Sequence, residues 1–298
     1  MTFSIMLSAF AFQDISAQSA FVQTSNESQA TLKRKVAIAR FSNETQSGTS
    51  FLVDDSGDRL GKQASDILSS KLAATGKFMM FERSDKDEID SEQILAGLKK
   101  AGVAVDYLII GSVSEFGRSV DSQSQIFKRT KTQRAYAKVN VRLVDVETGR
   151  IIFSEEGAGE SVNATESKVL TKTNAGFDQS LTDKAISAAI SSLVSSLVEN
   201  MTNKPWKSYL LSEEDGSYII AGGSRQGIAL GSILNVYKKG KIILNPQTGA
   251  TLELPGKKIG AIRVDGSFGE DDFSEVSFTT LIEGSITEEL QNYYISNT

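Results

Sequence analysis

The strongest constraint on the fold is a change of pattern near residue 203. Before it, apolar residues recur with strand-like and helix-like spacings in the order β-α-β-α-β-β-β-α. After it, short apolar runs are separated by glycine turns, which is typical of an all-β unit. The pattern predicts an α+β or α/β domain with a helix-packed sheet over 33–202, a linker over 203–208 and a small β-barrel or sandwich over 209–298.

The clearest element is a helix over 181–201, and its apolar residues share one face: Ile186, Ile190, Leu193, Leu197 and Met201. Ser180, with Asp183 three residues later, predicts a capping box at its start. A second helix is predicted over 58–75, with Gly76 just after its end. Strands are predicted over 35–41, 77–82, 105–113, 135–146 and 150–155, and a charged helix over 84–100. Residues 157–178 show no period, so no element is predicted there.

The composition excludes several kinds of chemistry. The 298 residues include neither cysteine nor histidine, which excludes disulfides, Cys-ligated zinc and catalysis by a thiol or an imidazole. The net charge of −5 argues against a general role in nucleic-acid binding. The sequence therefore predicts no catalytic residue, no cofactor and no nucleic-acid partner.

Acidic clusters at 54–58, 85–88 and 270–272 are the closest approach to a metal site. None has the spacing of a calcium loop, so no metal ligand is predicted. We interpret the first as a solvated turn with an aspartate cap before the helix. The second suits the first turn of a helix, where acidic side chains favour the dipole. The third is interpreted as a loop cluster.

The N-terminus has the pattern of a secretory signal. Residues 3–12 are apolar, and Ala17-Gln18-Ser19 fits a cleavage site. The pattern predicts a signal peptide over 1–19, truncated because its basic region is missing, and a flexible leader over 20–32. A buried N-terminal strand or helix is the alternative. Export predicts a periplasmic or outer-membrane-associated protein, and lipid attachment through a lipobox cysteine is not expected.

Several motifs together resemble the CsgG family of curli production assembly/transport components. They are KVAIARFSNET, L-x-x-T-G-K-F leading into FMMFER, DYLIIGSVSEF, and VNVRLVDVETGRIIFSEEGAGES, and they cover about 33–201. Related periplasmic domains, LpoB and the N-terminal domain of TolB, share much of this pattern. The resemblance implies a non-enzymatic component of secretion or envelope assembly that acts by oligomerisation and protein–protein interaction. A soluble periplasmic adaptor or activator without a pore, similar to LpoB or to a flagellar ring protein, is the alternative.

The C-terminal part resembles, more weakly, the C-terminal domain of the flagellar assembly protein FlgT. The residues that carry this resemblance are glycines and turn residues: Gly227, Gly231, Asn245-Pro246, Thr248-Gly249 and Ile259-Gly260.

One basic run, Lys128, Arg129, Lys131 and Arg134, is the candidate interaction surface. It lies in the segment 117–134, which in family channels would supply a membrane-spanning hairpin. Here, and again in 157–179, charged residues occupy positions that would face lipid, where a cation costs about 2–4 kcal/mol at mid-bilayer. The sequence therefore predicts hairpins that contact neighbouring subunits, envelope proteins or secreted proteins. At most, it predicts peripheral outer-membrane association.

Overall fold

A computed structural model describes residues 31–45, 58–83, 85–95, 104–124, 128–168, 177–247, 249, 251–271 and 274–298. The predicted signal peptide and nearly all of the predicted leader lie outside these residues. The first part of the chain contains the elements β1 (Arg34–Asn43), α1 (Arg59–Ala74), β2 (Phe78–Phe81), α2 (Lys86–Leu95), β3 (Tyr107–Ser124), β4 (Lys128–Asp145), β5 (Ile151–Lys168) and α3 (Ser180–Thr202).

The second part contains strands and short 3₁₀ turns: β6 (Lys207–Ser208), β7 (Leu210–Glu214), β8 (Ser217–Ala221), β9 (Ile233–Lys238), β10 (Ile242–Leu244), β11 (Thr251–Glu253), β12 (Lys257–Phe268), β13 (Val276–Gly284) and β14 (Tyr293–Ser296). The mixed α and β content agrees with the predicted fold class.

The first sheet has the strand order β2-β1-β3-β4-β5, with β1 parallel to β2 and β3 and the remaining pairs antiparallel. Alternate residues of β4 from Ala135 to Leu143 are fully buried. They pack against α3, while α1 lies on β1, β2 and β3, so one face of the sheet is covered by helices. The predicted apolar stripe of α3 is confirmed, since Ile186, Ile190 and Leu193 are all 0% exposed.

Two glycines of β5 let α3 lie directly on the strand. A β-carbon at Gly157 would lie 2.3 Å from the carbonyl oxygen of Ala189. A β-carbon at Gly159 would lie 2.3 Å from both the carbonyl oxygen of Ala185 and the amide nitrogen of Ala189. By length and composition α3 could cross a membrane, but its apolar stripe is buried on the sheet.

The second sheet has the order β6-β14-β9-β12-β13-β8-β7, and its two terminal strands follow one another along the chain. The segment 207–214 pairs with β14 at its start and with β8 further on, so the sheet is nearly closed, like a barrel. Its interior is filled by a separate cluster that includes Trp206, Ile220, Val236 and Ile262.

The two sheets are joined by polar contacts. Asp145, at the end of β4, is 3% exposed and accepts hydrogen bonds from the Lys204 ammonium and from the Thr148 amide at 2.9 Å. Burial opposes ionisation of Asp145, but these hydrogen bonds outweigh it and lower its pKa. Arg34 donates to the carbonyl oxygen of Lys204 at 2.6 Å. Whether each sheet is a separately stable domain stays a prediction.

Some sequence predictions need correction. Residues 157–168, for which no element was predicted, continue β5. Lys207 and Ser208, assigned to the linker, form β6. The capping box at Ser180 is wrong: Ser180 is the first helical residue, and its amide donates to the Oδ1 of Asp178 at 3.0 Å. The strand β3 also extends well beyond residue 113.

Candidate interaction surface

The strands β3, β4 and β5 continue past Ala135, the last fully buried apolar residue at that end of β4. We call residues 118–124, 128–134 and 161–168 the arm. Within it, β4 remains paired to both neighbours, with Arg129 opposite Ser124 on one side and Ser167 on the other. The arm is thus a three-stranded antiparallel extension of the first sheet. It contains the whole predicted basic run.

The arm differs in charge from the rest of the chain. It has six basic residues, Arg118, Lys128, Arg129, Lys131, Arg134 and Lys168, against the two acidic residues Asp121 and Glu166. Because the whole chain carries −5 and the arm +4, the remainder carries −9. Opposite charges on different parts of one molecule favour contacts between copies and with charged partners.

The predicted basic run does not form one surface. Successive strand positions point to opposite sides, so position 131 shares a side with the buried Gln133, and position 134 belongs to the other. Arg134 is exposed and forms an ion pair with Glu160 at 3.1 Å. Exposed pairs contribute about 0–1 kcal/mol, so this arginine remains available for other contacts. The side chains of Lys128 and Arg129 lie outside the described part of the structure.

Arg118 fixes the base of the arm, and sequence reasoning missed it. Its guanidinium donates to the hydroxyl of Thr182 in α3 at 2.8 Å. The same group lies 5.2 Å from the ring centroid of Phe116 and 4.8 Å from that of Phe177. Burial, followed by the charge of Arg59, lowers the pKa of Arg118. The signal in the sequence was Phe116, an aromatic residue two positions before Arg118 whose ring could hold the guanidinium.

Two amides hold the segment before α3 against the arm. The side-chain oxygen of Gln133 accepts a hydrogen bond from the Asp178 amide at 2.7 Å. The side-chain amide of Asn163 donates to the Asp178 carboxylate at 3.2 Å. The base of the arm is therefore connected to the start of α3 by side chains from β3, β4 and β5.

The sheet face opposite the helices carries a row of charges. Lys138 on β4 bonds Glu115 on β3 at 2.8 Å and lies 3.7 Å from Glu156 on β5. The hydrogen bond with Glu115 is the main cause of the raised pKa of Lys138. This face therefore presents paired charges to its surroundings.

The acidic clusters have structural roles wherever they are described. The Asp58 carboxylate accepts from the Gly61 amide at 2.7 Å and from the Asn43 amide at 2.6 Å, so the predicted aspartate cap of α1 is Asp58. Asp87 and Glu88 lie in the first turn of α2, as interpreted from the sequence. Residues 54–57 and Asp272 lie outside the residues that the structure describes. Within the described residues, no group of three or more acidic side chains could hold a metal ion.

A family model described as "Curli production assembly/transport component CsgG" matches residues 17–230. The chain belongs to the CsgG family. The match extends beyond the resemblance over 33–201, since it runs past α3 into the second sheet. The resemblance of the C-terminal part to FlgT stays a prediction from the sequence.

A relative named "Putative lipoprotein NMB1126/NMB1164", from Neisseria meningitidis serogroup B, is 31% identical over 179 residues. The alignment covers 59% of this chain and 80% of the relative. Together with the family match, this relative supports an envelope-associated, non-enzymatic protein.

Similar solved structures include a PelC dodecamer from Paraburkholderia phytofirmans, with 15% identity, a TM-score of 0.26, and coverage of 55% of this chain and 87% of that chain. Lipoprotein GNA1162 from Neisseria meningitidis has 14% identity, a TM-score of 0.24, and coverage of 57% of this chain and 99% of that chain.

Proposed function

We propose that this chain is a component of secretion or envelope assembly in the periplasm or at the outer membrane, and that it works as a homo-oligomer. The observation that carries this proposal is the edge of β5, which among the described strands pairs only with β4, in a member of an assembly and transport family. β5 has 18 residues and forms the outer strand of its sheet, whereas β2 at the other edge has 4. A long edge presents main-chain donors and acceptors that another strand can pair with.

The charge distribution supports the arm as the contact between copies. An arm of +4 on a remainder of −9 attracts the acidic surface of a neighbouring molecule. Hydrogen bonds of Arg118 and Asp178 already anchor the base of the arm. The arm therefore loses less conformational entropy when it is ordered on assembly. Envelope proteins or secreted proteins are the further partners.

The test is mass photometry of the purified chain over a range of salt concentrations. We expect an oligomer that weakens with salt, because exposed charges are screened beyond about 10 Å at 0.1 M. The variant R129E/K131E/R134E should shift the distribution towards monomer. The control K241E/K257E/K258E makes the same change in charge on exposed lysines far from the arm in sequence, in the second part of the chain, and should leave the distribution unchanged.

The alternative is a soluble periplasmic adaptor or activator without a pore. The observation that favours it is the ion-paired patch around Lys138 on the sheet face opposite the helices, because a polar patch suits a transient contact. A chain that stays monomeric at every salt concentration would favour the adaptor. An oligomer that is indifferent to R129E/K131E/R134E would remove the arm from the contact.

A further inference from the structure

A two-stranded ribbon stands outside the second sheet. We call residues 242–247, 249 and 251–254 the ribbon; among the described strands, its strands β10 and β11 pair only with each other. Four of its large apolar side chains are exposed: Ile242 by 66%, Ile243 by 40%, Leu244 by 64% and Leu254 by 45%. A group of exposed apolar side chains on a soluble domain marks a contact surface.

The ribbon has a defined conformation. The Leu254 amide donates to the carbonyl oxygen of Lys241 at 3.0 Å, and the Gly249 amide closes the turn on Asn245 at 2.9 Å. At its base, a β-carbon on Gly240 would lie 1.7 Å from the carbonyl oxygen of Leu254, so only glycine permits this approach. The apolar side chains are therefore presented by a fixed turn and a tightly packed base.

Lysines surround the base of the ribbon, and all are exposed: Lys238, Lys239, Lys241, Lys257 and Lys258. Lys257 is paired in register with Lys238, and like charges directly opposite each other are unfavourable. Lys207 and three glutamates, Glu147, Glu253 and Glu288, line the hollow at the same base, and Glu288 is paired with Lys238. Six lysines therefore stand against three glutamates. This excess of positive charge indicates a negatively charged contact surface.

We propose that the ribbon docks the protein on an anionic lipid bilayer. Ile242, Ile243 and Leu244 enter the interface, and the lysines lie at the level of the headgroups. A strand of three residues spans about 10 Å, which matches the roughly 5–10 Å to which interfacial elements enter a bilayer. A purely apolar protein groove would accommodate the ribbon but not the lysines around it. The inference rests on the ribbon alone and is independent of oligomerisation through the arm.

Co-sedimentation of the full chain with vesicles tests the proposal. One set of vesicles contains equal parts of phosphatidylglycerol and phosphatidylethanolamine, and the other contains phosphatidylcholine alone. We expect binding to the anionic vesicles that weakens as salt is added. I242S/I243S/L244S should abolish binding, and K241S/K257S should weaken it roughly fivefold per lysine, since each contributes about 1 kcal/mol near an anionic surface.

Matched variants separate docking from a general change of surface. L230S/F268S/I282S removes apolar side chains that are 76%, 71% and 46% exposed outside the ribbon and should bind like the wild type. K62S/K184S removes exposed lysines of α1 and α3 and should also bind like the wild type. Circular dichroism should show all variants folded.

Three results would overturn the proposal. They are no binding to either vesicle, equal binding to both, and equal losses in the ribbon and control variants. If I242S/I243S/L244S changed the oligomeric mass while the wild type ignored vesicles, the ribbon would be a contact between copies. The vesicle-binding test does not depend on the arm: if the arm variants failed to alter oligomerisation, the proposal for the ribbon would be unaffected.

Discussion

The two sheets of this protein bury their apolar side chains in different ways. The first remains open and is covered on one face by α1 and α3, whereas the second curves until the segment 207–214 pairs at both ends. Each sheet also has an extension that its core does not require. The arm of the first is polar and basic, and the ribbon associated with the second is apolar with lysines at its base.

The comparison shows that the polarity of the side chains on an extension does not depend on how the sheet beside it buries its core. Main-chain hydrogen bonds form equally in the arm and in the ribbon. What differs is the surface that the side chains can meet. Polar strands suit water and charged protein, and exposed isoleucine and leucine suit lipid or an apolar partner.

The largest expected effect contrasts the packed and extended parts of the first sheet. Ile190→Asp would place a carboxylate in a site that is 0% exposed and should unfold the protein. The cost is several kcal/mol, comparable with a total stability of about 5–15 kcal/mol. Val162→Asp, at an arm position that is 50% exposed, should change stability by less than about 0.5 kcal/mol. Urea denaturation followed by circular dichroism measures both; equal losses would mean that the arm is part of the core.

A second pair of variants compares two glycines of the same sheet. Gly159→Val should destabilise by about 1–3 kcal/mol, because the new side chain must push α3 away from β5. A β-carbon at Gly117 would have nothing within 4 Å, so Gly117→Val should be neutral or slightly stabilising. Thermal melting distinguishes them, and a neutral Gly159→Val would show that α3 can shift freely.

The contact between the sheets is sensitive to pH. Removing the Asp145 charge with D145N should cost about 2 kcal/mol near neutral pH, through loss of hydrogen bonds to a charged group. The pKa of Asp145 is lowered in the folded protein, so its contribution is complete above the unfolded value of about 3.9 and is lost as pH falls through the folded value. The wild type and D145N should therefore begin to converge below about pH 4 and meet only below the lowered pKa of the folded state. A difference that grew on acidification would contradict this.

The smallest expected effect concerns the ribbon. Since its apolar side chains are exposed, I242S/I243S/L244S should lower the free energy of unfolding by no more than about 0.5 kcal/mol per site. Urea denaturation in the absence of lipid is the measurement. A loss of several kcal/mol would assign the ribbon to the second core instead of to a contact surface.

Periodicity predicted the elements whose two sides face different surroundings. The stripe of α3 and the buried half of β4 alternate between core and surface, and both were found. The second half of β5 was missed because both of its sides are polar, and its hydrogen bonds to β4 leave no trace in the sequence. The cap of α3 was misplaced because Asp178 lies two residues before Ser180, outside the capping-box spacing.

The candidate surfaces were predicted only in part. The basic run was singled out from the sequence as a candidate interaction surface, which stays a prediction, and strand geometry divides it between two sides of the arm. In the sequence the ribbon is one of the short apolar runs after residue 203, followed by the turn residues Asn245-Pro246 and Thr248-Gly249. Its exposure could not be inferred, because an apolar run is typical of a core strand. The sequence signal lay in the lysines on both sides of the run, at 238–241 and 257–258.

The closure of the second sheet affects the order in which the protein can fold during synthesis. The segment that begins at Lys207 pairs with Ser296 and Ile295, nearly ninety positions later in the chain. Contacts between residues so far apart form slowly, because a long loop must close before they are made. The first sheet and its helices can assemble on the ribosome. The second core, which contains Trp206, cannot be completed until β14 has been synthesised. During that interval the nascent second sheet exposes strand edges, and a chaperone would have its main opportunity to bind there.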